Sequence, residues 1–292
     1  MERDASARAA DLSCWSGDVE VEPIGGGITN SNFLVRHQGK RHFVRIGKDI
    51  PEHGIMRFFE LAASRAAHAA GVSPEVLHHE DGAMVLEFIE GRALEAADLA
   101  SPSMLERVAP LIKRCHLEIP HHLRGPAMVF WVFQVIRDYA HTLREKEYRS
   151  VSDLPHLLEI AQSLESSVGE VSLVFGHNDL LAANFIDDGE RIWLIDWDYA
   201  GFNSPLFDLG GLASNSELSP TLEARLLELY FESEPSEELF GRYRAMKCAS
   251  LLRESMWSMV SELTSTVDFD FKAYTETNLR RFEEAWSSLQ ES

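Results

Sequence analysis

The sequence is poor in cysteine, lacks long apolar runs and is short of positive charge. Its three cysteines, Cys14, Cys115 and Cys248, stand far apart without a CxxC pair. That argues against a disulfide framework or a structural zinc site and points to free thiols in a reducing compartment. No stretch reaches the roughly 18 consecutive apolar residues of a membrane span. The opening MERDASARAADL lacks the apolar centre of a signal peptide, so a soluble, cytoplasmic protein is expected. Lysine and arginine total 27 against 47 aspartates and glutamates, a formal net charge of -20. Phosphate polymers and anionic membranes would be repelled, so neither nucleic acid nor membrane is an expected partner. The same charge is compatible with a small cationic substrate, and a homodimer is left open. The 12 histidines show no metal-binding spacing. The adjacent pairs His78-His79 and His121-His122 read as solvated.

What is present suits one large domain or two lobes sharing a cleft, since 45% of the 292 residues are hydrophobic. Residues 19–24, 32–37 and 42–46 read as strands, with Phe33, Val35, Phe43 and Val44 supplying β-favouring bulk and a turn at Gly39-Lys40. The alanine-rich run 57–70 ends at Gly71 and reads as a helix with a glycine stop. Residues 76–79 and 83–89 form a second hairpin about Asp81-Gly82. Beyond Gly91 the pattern becomes helical: a cap at Ser101-Pro102, helical spacing through Leu105, Val108, Leu111, Ile112 and Cys115, then stretches 126–146 and 154–167. Residues 171–174 and 192–195 read as buried strands around a loop, and the chain is mostly helical from Pro220. The expected organisation is a β-rich N-terminal lobe over residues 1–91, with a nucleotide phosphate loop. An α-rich C-terminal lobe follows over 92–292, with a catalytic loop, a metal site and an acceptor pocket.

Chemistry concentrates in residues 175–186, FGHNDLLAANFI, and in the strand that ends Ile195-Asp196-Trp197-Asp198. Phosphoryl transfer needs a carboxylate to orient the attacking hydroxyl and accept its proton, and oxygen ligands to hold magnesium against phosphates. Asp179, Asn184 five residues later and Asp196 at a strand end supply those parts, by the logic of the protein-kinase catalytic elements. Asp198 offers a further metal oxygen. Any one of these alone is as well explained by a capped turn, but the ordered set is not. Upstream, Gly25, Gly26, Gly27, Thr29 and Asn30 lie between two strands, where backbone N–H groups can close over phosphates. Arg45 on the next strand is the candidate phosphate cation, with Lys48 as its competitor. Glu60 on the following helix is placed to orient Arg45. Glu87, at the end of the second hairpin, completes the candidate nucleotide-binding set.

These segments together resemble the choline/ethanolamine kinases, a family grouped with aminoglycoside phosphotransferases in the protein-kinase-like fold. The resemblance is carried by His177-Asn178-Asp179 through Asn184, by residues 195–203, and by Phe207-Asp208-Leu209-Gly210. It extends to the phosphate-loop residues 27–33, to Arg45 and to an RxxE helix at Arg57 and Glu60. It implies an α+β fold with a small antiparallel β-sheet N-lobe and a large α-helical C-lobe. It also implies an ATP- and Mg2+-dependent kinase of a small amino alcohol such as choline or ethanolamine. The alternative is a kinase of another hydroxylated cation, thiamine or an aminoglycoside. By the same resemblance Asp179 is the base, Asn184, Asp196 and Asp198 serve magnesium, and Asp208 braces the catalytic loop. Tyr199, Asn215, Glu254, Trp257, Phe269 and Tyr274 fall at acceptor-site positions, although without the resemblance Trp257, Phe269 and Tyr274 read first as ordinary helix core. Glu254 stands where many members carry the first tryptophan of WxxW, and Asn215 where an acidic residue is usual.

Overall fold

The computed structural model describes residues 2–25 and 29–291. A short helix, α1 (Glu2–Ala10), precedes strands β1 (Glu20–Ile24), β2 (Ser31–His37) and β3 (Lys40–Ile46). Helix α2 (Arg57–Ala69) follows, and the hairpin β4 (Val76–Glu80) and β5 (Ala83–Glu87) completes an antiparallel sheet in the order β1-β2-β3-β5-β4. Between β2 and β3 both central turn residues, Gln38 and Gly39, have positive φ (50° and 77°), the geometry that matches the twist of a tight hairpin. Strand alternation sends Phe33, Val35 and Val44 to one face, where they pack with Ala83 and Val85 beneath Ala9 and Leu12 of the N-terminal segment. Arg45, paired with Asn32 on β2 and Met84 on β5, therefore points to the other face.

The rest of the chain is mainly helical. It begins with β6 (Arg92–Ala93) and α3 (Ala96–Leu99), then the long helices α4 (Pro102–His122), α5 (Val132–Glu145) and α6 (Leu154–Val168). Four short strands follow: β7 (Val174–Gly176), β8 (Phe185–Asp187), β9 (Ile192–Leu194) and β10 (Gly201–Asn203). β7 pairs with β10, and β6-β8-β9 form a three-stranded sheet. The chain ends in α7 (Pro205–Asn215), α8 (Pro220–Phe231), α9 (Glu237–Thr264) and α10 (Phe271–Gln290). Helix α9 packs against α5, α6, α7 and α10 and buries Tyr243, Met246, Leu252, Met256 and Val260 completely. A helix surrounded in this way has no need of a single apolar stripe. Helix α7 approaches α9 at Gly210, where an added Cβ would lie 2.8 Å from the Lys247 Cα.

The architecture is α+β in two lobes, as expected, with local departures. Helix α5 starts at Val132 rather than near 126, because the preceding residues run extended beside β10: Val129 bridges Phe202, and Phe130 N–H donates to Phe202 O at 2.9 Å. The strand read at 171–174 lies at Val174–Gly176 instead. Helices α1 and α7 went unread in the sequence. Helix α7 starts from Ser204, whose Oγ accepts the Leu206 N–H at 3.3 Å ahead of Pro205.

Candidate active site

The loop after β7 carries His177, Asn178 and Asp179, and it is held from behind by one buried carboxylate. Asp208, in the first turn of α7 and 2% exposed, accepts the N–H groups of His177 and Asn178, both at 2.7 Å. His116 Nε2 lies 2.9 Å from the same carboxylate, and His116 Nδ1 lies 2.7 Å from Tyr230 OH. Burial works against the Asp208 charge, but His116 and the N–H donors hold the carboxyl below the usual carboxylate range. His177 does not face the cleft. Its Nε2 lies 2.9 Å from Ile195 O and its ring 4.8 Å from that of Trp197, so it ties the loop to the strand that delivers Asp196. Asn178 sits at φ 65°, and its side chain donates to Tyr199 O at 2.9 Å and Gly201 O at 3.1 Å.

From this frame the loop turns so that Asn184 Nδ2 donates to Asp179 O at 2.9 Å, and Ile195 N–H donates to Asn184 O at 3.0 Å. Asp179, Asn184 and Asp196 are thus brought together. Asp196 has a φ of 72°, a costly conformation for aspartate that concentrates at functional sites. Burial pushes the Asp179 carboxyl up to about 8. Arg253 opposes that shift, and the negative charge of Glu254 adds to it.

Opposite the loop, β3 and α2 contribute a buried charge cluster. Arg45 Nη1 lies 2.5 Å from Glu60 Oε1, 2.8 Å from Asp196 Oδ1 and 3.0 Å from Asp198 Oδ1. Arg57 Nη1 donates to Glu60 Oε2 at 2.6 Å and Asp198 Oδ1 at 2.7 Å. The second Asp198 oxygen accepts from Thr29 Oγ1 and Asn30 Nδ2, both at 3.0 Å. Despite its burial Asp198 stays below the usual carboxylate range, because Arg45 and Arg57 flank it. Asp198 was read as a metal ligand. Here both of its oxygens are taken by donors from the sheet lobe, so it joins the phosphate-loop residues and the two guanidiniums to the strand of Asp196.

Four atoms around this cluster are buried without a hydrogen-bond partner: Arg45 Nε, Arg57 Nη2, Asn30 Oδ1 and Asn32 Oδ1. Buried polar groups in folded proteins are nearly always satisfied. Orphan cationic donors beside orphan oxygens fit a ligand that brings both phosphate and a divalent cation. Asp196 and Asn184 are the oxygen ligands such a cation would take. Among the described residues no three His, Cys, Asp or Glu side chains form a metal cage. Magnesium is ordinarily bound by one or two carboxylates, with phosphates and water completing its shell.

The remaining candidates divide. Gly25 closes β1, whereas Gly26 and Gly27 lie outside the described residues. Lys48 is exposed, and Glu87 is exposed opposite His42, three register positions from Arg45. Lys48 meets the charge cluster only through its carbonyl, which accepts from Arg57 Nε at 2.9 Å, and Glu87 is not brought to it. On the acceptor side, Asn215, Glu254 and Asp179 line one crevice together with Arg253. Trp257 Nε1 donates to Tyr199 OH at 2.8 Å, and Tyr274 OH donates to Glu254 Oε1 at 2.8 Å. Phe269 is 40% exposed, with its ring 5.6 Å from that of Tyr274. A cavity of about 770 Å3 opens between Thr29, Asn30 and Asn32 on one side and Trp257, Ser261 and Phe271 on the other. Sequence reasoning missed Arg253, which is 3% exposed, and the part Arg57 plays at Asp198. The available signal for Arg253 was a charged pair, Arg253-Glu254, inside the otherwise apolar stretch of α9.

Residues 21–212 match the family model described as choline/ethanolamine kinase. A probable ethanolamine kinase of Arabidopsis thaliana is 27% identical over 288 residues, covering 87% of this chain and 76% of that protein. A choline/ethanolamine kinase family protein from Mesorhizobium loti has a solved structure that superposes with a TM-score of 0.77 at 27% identity, with all of both chains covered. A spectinomycin phosphotransferase crystallised with ADP superposes with a TM-score of 0.65 at 12% identity over 100% of this chain and 99% of that one, which is a likeness of fold alone.

Proposed function

The chain belongs to the choline/ethanolamine kinase family, and from that premise we propose that it transfers the γ-phosphoryl group of ATP to the hydroxyl of a small amino alcohol. One observation carries the proposal: Asp179, Asn184 and Asp196 converge beside two guanidiniums, one buried and one half-buried, that each have an unmet buried donor. In this reading the acceptor hydroxyl oxygen bonds to the γ-phosphorus, the bond to the ADP oxygen breaks, and the hydroxyl proton passes to Asp179. A carboxyl pushed up to about 8 is a base matched to neutral pH. Arg45, fixed by Glu60, meets phosphate oxygens. Asn184 and Asp196 would hold magnesium, which when bound would offset the charge of the phosphates. Asp198 positions the phosphate-loop side chains and Arg57 rather than coordinating metal. The cavity bounded by Trp257 and Phe271 admits the acceptor.

The test is an ATP-consumption screen of the purified protein with magnesium and with ethanolamine, choline, their partly methylated relatives, thiamine, aminoglycosides and simple sugars. Acceptor-dependent ADP release with an amino alcohol is the expected result. Release only with sugars or aminoglycosides would refute the acceptor class.

A further inference from the structure

The acceptor side of the site contains a cation of its own. Arg253, on α9, lines the crevice beside the catalytic loop with Asp179, Asn215 and Glu254. Its guanidinium stands 4.4 Å from the centre of the Tyr199 ring and 5.5 Å from that of Phe130. Its Nη1 donates to Glu254 at 3.0 Å, and Tyr274 takes the other Glu254 oxygen. An aromatic face and a nearby carboxylate are what a pocket offers to an ammonium group. At this spot both are already engaged by Arg253, so a substrate cation placed there would meet like charge.

What Arg253 leaves open has the opposite character. Its Nε and Nη2 are buried without a hydrogen-bond partner, although the Tyr139 hydroxyl interacts with the guanidinium. Buried guanidinium donors are costly to leave unmet, and their best complement is an oxyanion. The crevice offers about 20 Å3, room for one oxygen atom. The larger cavity beyond is lined by Trp257, Phe271, Glu52 and Asp268, so aromatic faces and carboxylates remain for an amino group there.

We infer that Arg253 makes this pocket specific for a zwitterionic acceptor, an amino alcohol that carries a carboxylate close to the reacting hydroxyl. The inference rests on the reading of the chain as an ATP-dependent hydroxyl kinase. One carboxylate oxygen takes the crevice and meets Arg253, the hydroxyl lies at Asp179, and the amino group faces the larger cavity.

The test compares kcat/KM with magnesium and ATP for serine, homoserine and isoserine against ethanolamine and choline. At least one carboxylated compound should exceed both simple amino alcohols by roughly tenfold or more, the worth of a hydrogen bond to a charged group. Arg253→Met should cut that ratio by roughly 10- to 100-fold, and Arg253→Lys should restore part of it. A merely structural Arg253 would lower all acceptors together and leave the ratio unchanged, which would overturn the inference. So would wild-type protein that prefers ethanolamine or choline. Phosphorylation of ethanolamine without any carboxylate preference sinks this inference and leaves the kinase reading standing. Failure of every hydroxyl acceptor, with ATP still bound, sinks both.

Discussion

Replacing Asp208 by asparagine tests the frame of the site. The wild-type carboxylate presents one oxygen to the Asn178 N–H and the other to the His177 N–H and His116. Asparagine has the same shape but only one acceptor, so its NH2 group must face a backbone N–H or the His116 donor. At least one buried donor is orphaned, and the charge that strengthened the remaining bonds is gone. Hydrogen bonds to charged groups contribute about 1.5–3 kcal/mol each, and an orphaned buried donor costs about 1–3 kcal/mol. The expected loss is therefore about 3–5 kcal/mol, the range for breaking a buried charged pair. In urea denaturation this should lower the midpoint by about 1–2 M at unchanged slope. The pH dependence has a definite sign. The folded carboxyl lies below its unfolded value, so its stabilisation is complete above about pH 4 and disappears as pH falls through the folded value. The gap between wild type and variant should narrow on acidification. In the folded fraction kcat should fall more than ATP affinity, because the brace positions Asp179 and does not touch nucleotide. A stability loss under about 1 kcal/mol would mean that the loop holds itself, and the reasoning would be wrong.

Asp179→Asn should keep nucleotide binding and lower kcat by about 10²–10⁴-fold, the usual worth of a positioned base; near-normal turnover would remove Asp179 from that role. Asp196→Ala should abolish magnesium-dependent turnover in a folded protein, and a normal response in a magnesium titration would refute its place as a ligand. Asp198→Asn should raise KM for ATP and loosen Thr29 and Asn30 while magnesium still supports turnover at saturating nucleotide. Loss of the magnesium response equal to that of Asp196→Ala would return Asp198 to the metal. His53 is buried and held neutral, its value lowered to about 3, first by burial and then by Arg253. The unfolded histidine takes up a proton near pH 6.5, so stability should decline by up to about 1.4 kcal/mol per unit as pH falls from about 6.5 toward 3. His53→Asn should flatten that slope, and an unchanged slope would exclude His53 as its source.

The grouping of the three polar residues after β7 was legible because its parts are local. Asp179, Asn184 and Asp196 belong to one loop and the next strand, and hydrogen bonds within that stretch set their mutual placement. Arg45 was legible as the cation on the strand that follows the glycine-rich segment, and Glu60 from its place on the next helix. The fate of Asp198 was not, because spacing does not say whether a carboxylate will meet a metal or a guanidinium. That depends on where α2 brings Arg57, a contact 141 residues away in the chain. Arg253 was hidden for a related reason. Helix α9 is covered on nearly all sides, so its positions carry no exposed-versus-buried pattern that would single out a buried charge. Charged residues are almost never fully buried unless paired, and an Arg-Glu pair among apolar neighbours is the mark that remained.

The contact at Gly210 gives the molecule an uneven tolerance to change. The backbone of α7 rests almost directly on that of α9, and the two helices carry different cargo. One presents Asp208 to the loop of Asp179; the other presents Arg253 and Glu254 to the crevice and Trp257 to the larger cavity. A side chain at 210 would act as a wedge, altering the distance between the chemistry and the recognition surface while leaving every residue of both in place. Substitutions along the acceptor-facing side of α9 carry no such penalty, since the spacer is undisturbed. Under the proposed function, acceptor preference would drift by rewriting one helical face, whereas the interval between that face and the loop of Asp179 is set by a single missing methyl group.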